Sequence, residues 1–395
     1  MSICQRSAGH PGAGHAWRIP LWVARQVKPC SSDEETWWTQ MTDFGYTAMC
    51  EQTPVRELVT DLQSAEAAGF DFSAMSDRSF PWLEAPGRSG YAWSVLGAAA
   101  QATRRLPLMT FVTCPIFRYH PAVVAQKAAT MGVLSDGRFT LGIGVAENLN
   151  EHVVGAGWRV AKVRHERFTE AVQIITELFG GGYVNFKGEH YRVEHAKLVD
   201  LPSRPVPVAI ALSGADSVQL AATRGDAMIT AEPDADLVAA FTRAAGTSKP
   251  RYGQLPVCYD TDTERARANV RRVWRWGLPG WSATSARPER RNADATPQLI
   301  SDDVAELLPC GPDVEDYLLA AKKWVDAGYT HLALAQVGSG TRKFVSWAER
   351  ELLPALRSSA GQTRAPDKEN GIDEARNSAA ALQRLWQTRD RLPGD

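Results

Sequence analysis

FRYHPAVVAQKAATMGVLSDGRFTLGIGVAENLNE, residues Phe117 to Glu151, decides how this chain folds. It opens as a loop and passes into an amphipathic helix with Val123, Val124, Ala128 and Met131 at helical spacing. An Asp136-Gly137 turn follows, and then an apolar run from Phe139 to Val145 that reads as a buried strand. The strand ends in a polar cluster, Glu147, Asn148 and Asn150. Parallel α/β folds keep their chemistry at the carboxyl ends of strands, so Glu147 is the first candidate for a working residue.

Outward from this unit the same alternation continues. Strands are expected at Phe44–Cys50, Phe70–Met75, Leu106–Val112, Phe139–Val145, Val206–Leu212, Ala227–Thr230, Leu255–Tyr259 and His331–Val337, with amphipathic helices between them. Eight strands with eight crossovers predict a TIM (β/α)8 barrel over residues 41–357. Two segments interrupt the count: Gly180–Val193, a hairpin after a helix, and Trp276–Leu308, an irregular loop with Arg287, Arg290 and Arg291 expected to lie over the barrel mouth. Residues 1–40 read as a flexible extension and 358–395 as a polar tail with a possible helix at Glu374–Gln387.

A 395-residue chain with 44% apolar content can bury one large core. Its formal charge of −1, with no basic stripe, argues against nucleic acid or an anionic membrane as partner and leaves a small molecule. No apolar run reaches the roughly 18 residues that a spanning helix needs. The six cysteines are far apart and form no C-x-x-C pair, so they read as reduced thiols of a cytoplasmic protein. His120, His165 and His331 make no metal-ligand spacing, and no metal is expected.

HPAVVAQKAATMGVLSDGRFTLGIG followed by ENLNE resembles the luciferase-like family of flavin and deazaflavin oxidoreductases, within it the branch of F420-dependent glucose-6-phosphate dehydrogenase. SDRSFPW (Ser76 to Trp82), TCPIFRYHP (Thr113 to Pro121), GGYVNFKGEHYRV (Gly181 to Val193) and VPVAIALSGADSVQLAATRGDAM (Val206 to Met228) extend the likeness in order, from about Gly45 to Leu356. The resemblance implies coenzyme F420, with FMN as the alternative, hydride transfer, and a homodimer pairing through helices near Ala122–Leu134.

The strand ends supply the candidate site. Asp77, Arg78 and Trp82 follow the second strand; Phe111, Val112 and Thr113 end the third; Ala146, Glu147 and Asn148 end the fourth; Leu212 ends the fifth. Ser213-Gly214-Ala215 then opens a helix whose free amides and positive end suit a phosphate. Asp77 and Glu147 are carboxylates from neighbouring strands facing one pocket, and each reads either as a working group or as a capped or salt-bridged structural one. By resemblance, Glu147 protonates or stabilises the cofactor ring nitrogen, Asp77 bonds the cofactor or its neighbour, Trp82 packs on substrate or cofactor, Ser213–Ala215 holds the phosphate, and Phe111-Val112 is a cis-peptide bulge behind the ring.

Two departures from the family pattern matter. Arg78 stands where dehydrogenase relatives have a histidine that takes the alcohol proton, and a guanidinium cannot take one. A fixed cation there suits a reductase working from the reduced deazaflavin. The sugar-phosphate clamp is also broken: Thr230-Ala231-Glu232-Pro233-Asp234 replaces a lysine site, and Val304-Ala305-Glu306-Leu307-Leu308 an arginine site. The expected activity is F420-dependent hydride transfer with a small, non-phosphorylated substrate; the alternatives are an FMN-dependent monooxygenase and a barrel that has lost catalysis and binds only.

Overall fold

The first strand, β1 (Asp43–Ala48), runs parallel to β2 (Phe72–Met75) on one side and to the last strand, β10 (His331–Gln336), on the other. Between them β3 (Leu108–Thr110), β4 (Phe139–Ile143), β7 (Val208–Ala211), β8 (Ala227–Ile229) and β9 (Arg251–Val257) complete a closed parallel barrel. The expected TIM barrel is therefore the observed fold. This computed structural model describes residues 42–81, 87–274 and 302–362 of the chain.

Helices cover the barrel in sequence: α1 (Val55–Ala67), α2 (Ala92–Ala102), α3 (Pro121–Leu134), α4 (Asn148–Glu151), α5 (Ala161–Phe179), α6 (Ala215–Arg224), α7 (Ala235–Ala245) and α8 (Thr263–Val273). Helices Val314–Asp326, Thr341–Trp347 and Leu353–Gln362 follow, the last running past the expected end of the barrel at 357. Barrel strands such as β2, β3, β4 and β8 are buried on almost every residue, which is why their sequences read as largely apolar runs. One face packs on the helices through residues such as Phe44, Tyr46, Leu141 and Leu334; the other fills the interior with Phe72, Ala74, Met109, Ala209, Ile229 and Ala333. At the amino end Phe72, Tyr252 and His331 close the floor, their ring centroids 4.4 to 5.6 Å apart.

α3 begins where the sequence places it, with His120 Nδ1 accepting from the Ala122 amide at 3.2 Å. Its far end turns through Asp136 and Gly137, both at positive φ, into β4. β9 begins at Arg251 rather than at Leu255 as expected. Arg251 is buried, and its guanidinium donates to the Gly328, Thr247 and Lys249 carbonyls at 2.6, 3.0 and 3.2 Å, so a charged residue starts a core strand. β3 ends at Thr110 instead of Val112, and the following peptide, Phe111-Val112, is cis.

The hairpin is present as β5 (Val184–Lys187) and β6 (Arg192–Ala196), a few residues beyond its expected start. The Trp276–Leu308 segment is corrected at its described end. Residues Asp302–Glu306 form a 3-10 turn, and Val304, Ala305 and Leu308 join Cys258, Ala266, Val270, Cys310 and Val337 in a satellite core beside the ends of β9 and β10. This run is apolar because it packs. The extension 1–40, the basic run at 287–291 and the helix at 374–387 lie outside the described residues.

Candidate active site

The loop after β2 carries Arg78 into the centre of a buried charge network. Its Nε lies 2.8 Å from Glu51 Oε1, in the turn after β1, and its Nη2 lies 3.1 and 3.0 Å from the two oxygens of Glu147. Glu147 occupies the position just before α4 and also accepts from Asn150 Nδ2 at 2.8 Å. Both Glu147 carboxylate oxygens thus face protein donors, Arg78 on both and Asn150 on one. The residue before it, Ala146, has φ 90°, a conformation that costs a non-glycine residue energy.

Asp77 is 3% exposed and fully engaged. Trp93 Nε1 and Thr113 Oγ1 donate to Oδ2 at 3.0 and 2.9 Å, while Arg118 Nη2 and Tyr119 OH reach Oδ1 at 3.2 Å each. Its oxygens are taken by protein donors, so its part in the site is to organise Thr113, Arg118 and Tyr119.

Glu151, one turn beyond Glu147, is 2% exposed and accepts the Arg118 amide at 2.8 Å, with Arg118 Nε 3.7 Å from its other oxygen. Burial raises its carboxyl to about 7, against the opposing pull of Arg118. Burial and the same acids push the Cys114 thiol well up, and burial and Asp77 do so for the Tyr119 phenol. The cluster thus sets four carboxylates, Glu51, Asp77, Glu147 and Glu151, against two guanidiniums.

The structure brings Asp77, Arg78, Thr113 and Glu147 together through direct contacts. Phe111 joins them through its carbonyl, which accepts from Ser76 Oγ at 3.3 Å. Val112 and Ala211 approach each other across Gly144, where a Cβ would stand 2.8 Å from Val112 Cγ2 and 3.3 Å from Ala211 Cβ. Asn148 is buried in α4, and Leu212 is half-buried against the core. At Ser213-Gly214-Ala215 the expectation of free amides needs correction: the Ser213 and Gly214 amides donate to Ser217 Oγ at 2.8 and 3.1 Å. Ala215 opens α6 as expected. Trp82 lies outside the described residues.

Sequence reasoning did not single out Glu51, Arg118 or Glu151 as site residues. Arg118 and Glu151 stand inside the decisive stretch itself, one in FRYHP before the helix and one in ENLNE after the strand, and a charged residue at each end of that unit was the available signal. Among the described residues no group of acids, His and Cys could hold a metal ion, and no helix is long and apolar enough to cross a membrane.

The family model for luciferase-like monooxygenases matches residues 38–321. An F420-dependent glucose-6-phosphate dehydrogenase from Nakamurella multipartita is 33% identical over 81% of this chain and 98% of its own length. The protein of that name from Amycolatopsis mediterranei is 34% identical over 80% of this chain and 99% of its own. Among solved structures, an F420-dependent secondary alcohol dehydrogenase in complex with an F420-acetone adduct aligns with TM-score 0.74 at 27% identity, over 80% of this chain and 99% of that one.

Proposed function

The chain belongs to the luciferase-like monooxygenase family, and from that premise we propose that it is an oxidoreductase using coenzyme F420 to reduce a small, non-phosphorylated organic substrate. Bound in the mouth, the deazaflavin supplies or accepts the hydride. The donor set fits such a group. Arg78 offers a cation beside Glu147, and the α6 start offers backbone amides whose present acceptor, the Ser217 hydroxyl, is one a phosphate oxygen can replace. Phe111, Val112, Thr113, Ala146, Asn148 and Leu212 border the ring position, with Glu147 and Arg78 balancing charge where the hydride moves and Trp82 packing on the ligands.

Arg78 is the observation that carries the reductase reading. It is held between Glu51 and Glu147, and a guanidinium has no acceptor for an alcohol proton but can stabilise negative charge. The curated relatives are named for glucose 6-phosphate, yet the turn after β8 offers that phosphate no cation. Thr230 is instead buried there, bonded to Tyr329 OH at 2.5 Å and to the Glu232 carbonyl at 2.9 Å. The exposed Val123, Val133 and Leu134 of α3 support a homodimer through that helix, and the free thiols Cys50, Cys114, Cys258 and Cys310 support a cytoplasmic setting.

The test is a fluorescence titration of the purified protein with oxidised F420 and, separately, FMN. F420 binding at micromolar or lower Kd, followed by oxidation of reduced F420 with a carbonyl or enone panel and none with glucose 6-phosphate, is the expected result. FMN preference with oxygen consumption would make the protein a monooxygenase, and binding of neither would leave a binding barrel. In the Arg78→His variant, a gain of alcohol oxidation supports the argument from Arg78, and unchanged activity removes it.

A further inference from the structure

We propose that Arg118 is a positioning residue for the Arg78–Glu147 ion pair, acting through the loop 76–81, with Glu151 holding Arg118 in place. This deepens the functional reading and rests on it only for the effect on turnover.

Arg78 sits between two residues that Arg118 grips. Nη2 of Arg118 donates to the Asp77 carbonyl at 2.6 Å and Nη1 to the Ser79 hydroxyl at 2.8 Å, while Nη2 also pairs with the Asp77 carboxylate at 3.2 Å. On the other flank, Asn150 Oδ1 accepts from the Ser79 and Phe80 amides at 2.9 and 3.3 Å, and its Nδ2 donates to Glu147. Residues 76–81 belong to no helix or strand, so side chains from the β3 and β4 loops set their path. A planar guanidinium with donors in a fixed fork can hold a backbone carbonyl, a hydroxyl and a carboxylate at once; an ammonium on a flexible stem cannot reproduce that arrangement. The Arg118 side chain is 8% exposed and that of Glu151 2%, so the grip works away from solvent screening. Glu151 fixes it from behind, bonding the Arg118 amide with one oxygen and facing its Nε with the other. Arg118 therefore sets where the Arg78 side chain starts, and Asn150 ties that start to Glu147.

The experiment is hydrogen exchange on the full chain without cofactor, in wild type, Arg118→Lys, Arg118→Met, Ser79→Ala and Glu151→Gln, paired with turnover of reduced F420. At the Ser79 and Phe80 amides, exchange should accelerate roughly tenfold or more in Arg118→Met and a few-fold in Arg118→Lys and Ser79→Ala, with β1 and β7 unchanged. The same order should appear as a fall in kcat, about ten- to a hundredfold in Arg118→Met, with substrate KM little moved. Ser79→Ala and Arg118→Lys keep the test decisive if Arg118→Met does not fold. Wild-type exchange in both, a uniform rise across the barrel, or a loosened loop with unchanged kcat would each overturn the proposal. Should the wild type bind no F420, the functional reading fails, while loop exchange still decides whether Arg118 orders residues 76–81.

Discussion

Arg78 is buried between two acids, and its removal leaves both without their guanidinium. Arg78→Met should cost about 3–5 kcal/mol in urea denaturation, the usual consequence of stranding buried charge, and Arg78→Lys should recover part of it. Glu151 gives a pH-dependent prediction. Its carboxyl is raised from 4.5 to about 7 by burial, so between those values the folded chain keeps a proton that the unfolded chain has lost. Stability from this group is full below about 4.5, declines as pH rises, and is gone above about 7. Against wild type, Glu151→Gln should therefore gain up to about 3 kcal/mol between pH 5 and pH 8. Asp61, raised to about 6 by burial, slopes the same way in both proteins and cancels in the difference. Sequence could point to Asp77, Arg78 and Glu147, because a strand end marks them. It could not show that Arg118 meets Asp77 41 residues away in sequence, since such a bond exists only once the barrel has closed.

At the scale of elements, Glu170 of α5 anchors the turn of the β5–β6 hairpin through three backbone amides. Glu170 accepts from the amides of Glu189, His190 and Tyr191 at 2.7, 3.0 and 3.0 Å. Glu170→Ala should loosen the hairpin by about 1–3 kcal/mol, read as faster amide exchange confined to residues 184–196 with little change in barrel Tm. α3 and β4 were legible because period and turn chemistry agree there. α2 fills a crossover where a helix was expected, yet its own bounds were not legible. Its sequence AWSVLGAAAQA is apolar or small nearly all round, so the face it exposes, Ser94, Ala98 and Gln101, makes too weak a polar stripe to reveal its period. α4 was read only as a polar cluster, being a single turn too short to show a repeat.

For the whole molecule, closure depends on small residues where side chains meet inside the barrel. A Cβ on Gly45 would lie 2.5 Å from the Phe72 ring, so Gly45→Ala should cost about 1–3 kcal/mol of thermal stability, and Phe72→Leu in the same chain should return much of it. Gly142 leaves less choice: its Cβ would meet the Thr110 carbonyl oxygen at 2.0 Å, and backbone cannot step aside as a ring can. The alternation of strands and helices made the barrel readable; which glycines the interior requires depends on packing across strands. Among the described residues, the rings of Phe72, Tyr252 and His331 pack together at the amino end of the barrel, opposite the strand ends that carry the charge network. In the reaction proposed for this chain, two ligands entering from the strand ends must queue: the deeper one arrives first and departs last, so turnover should follow a compulsory order, read as the pattern of product inhibition.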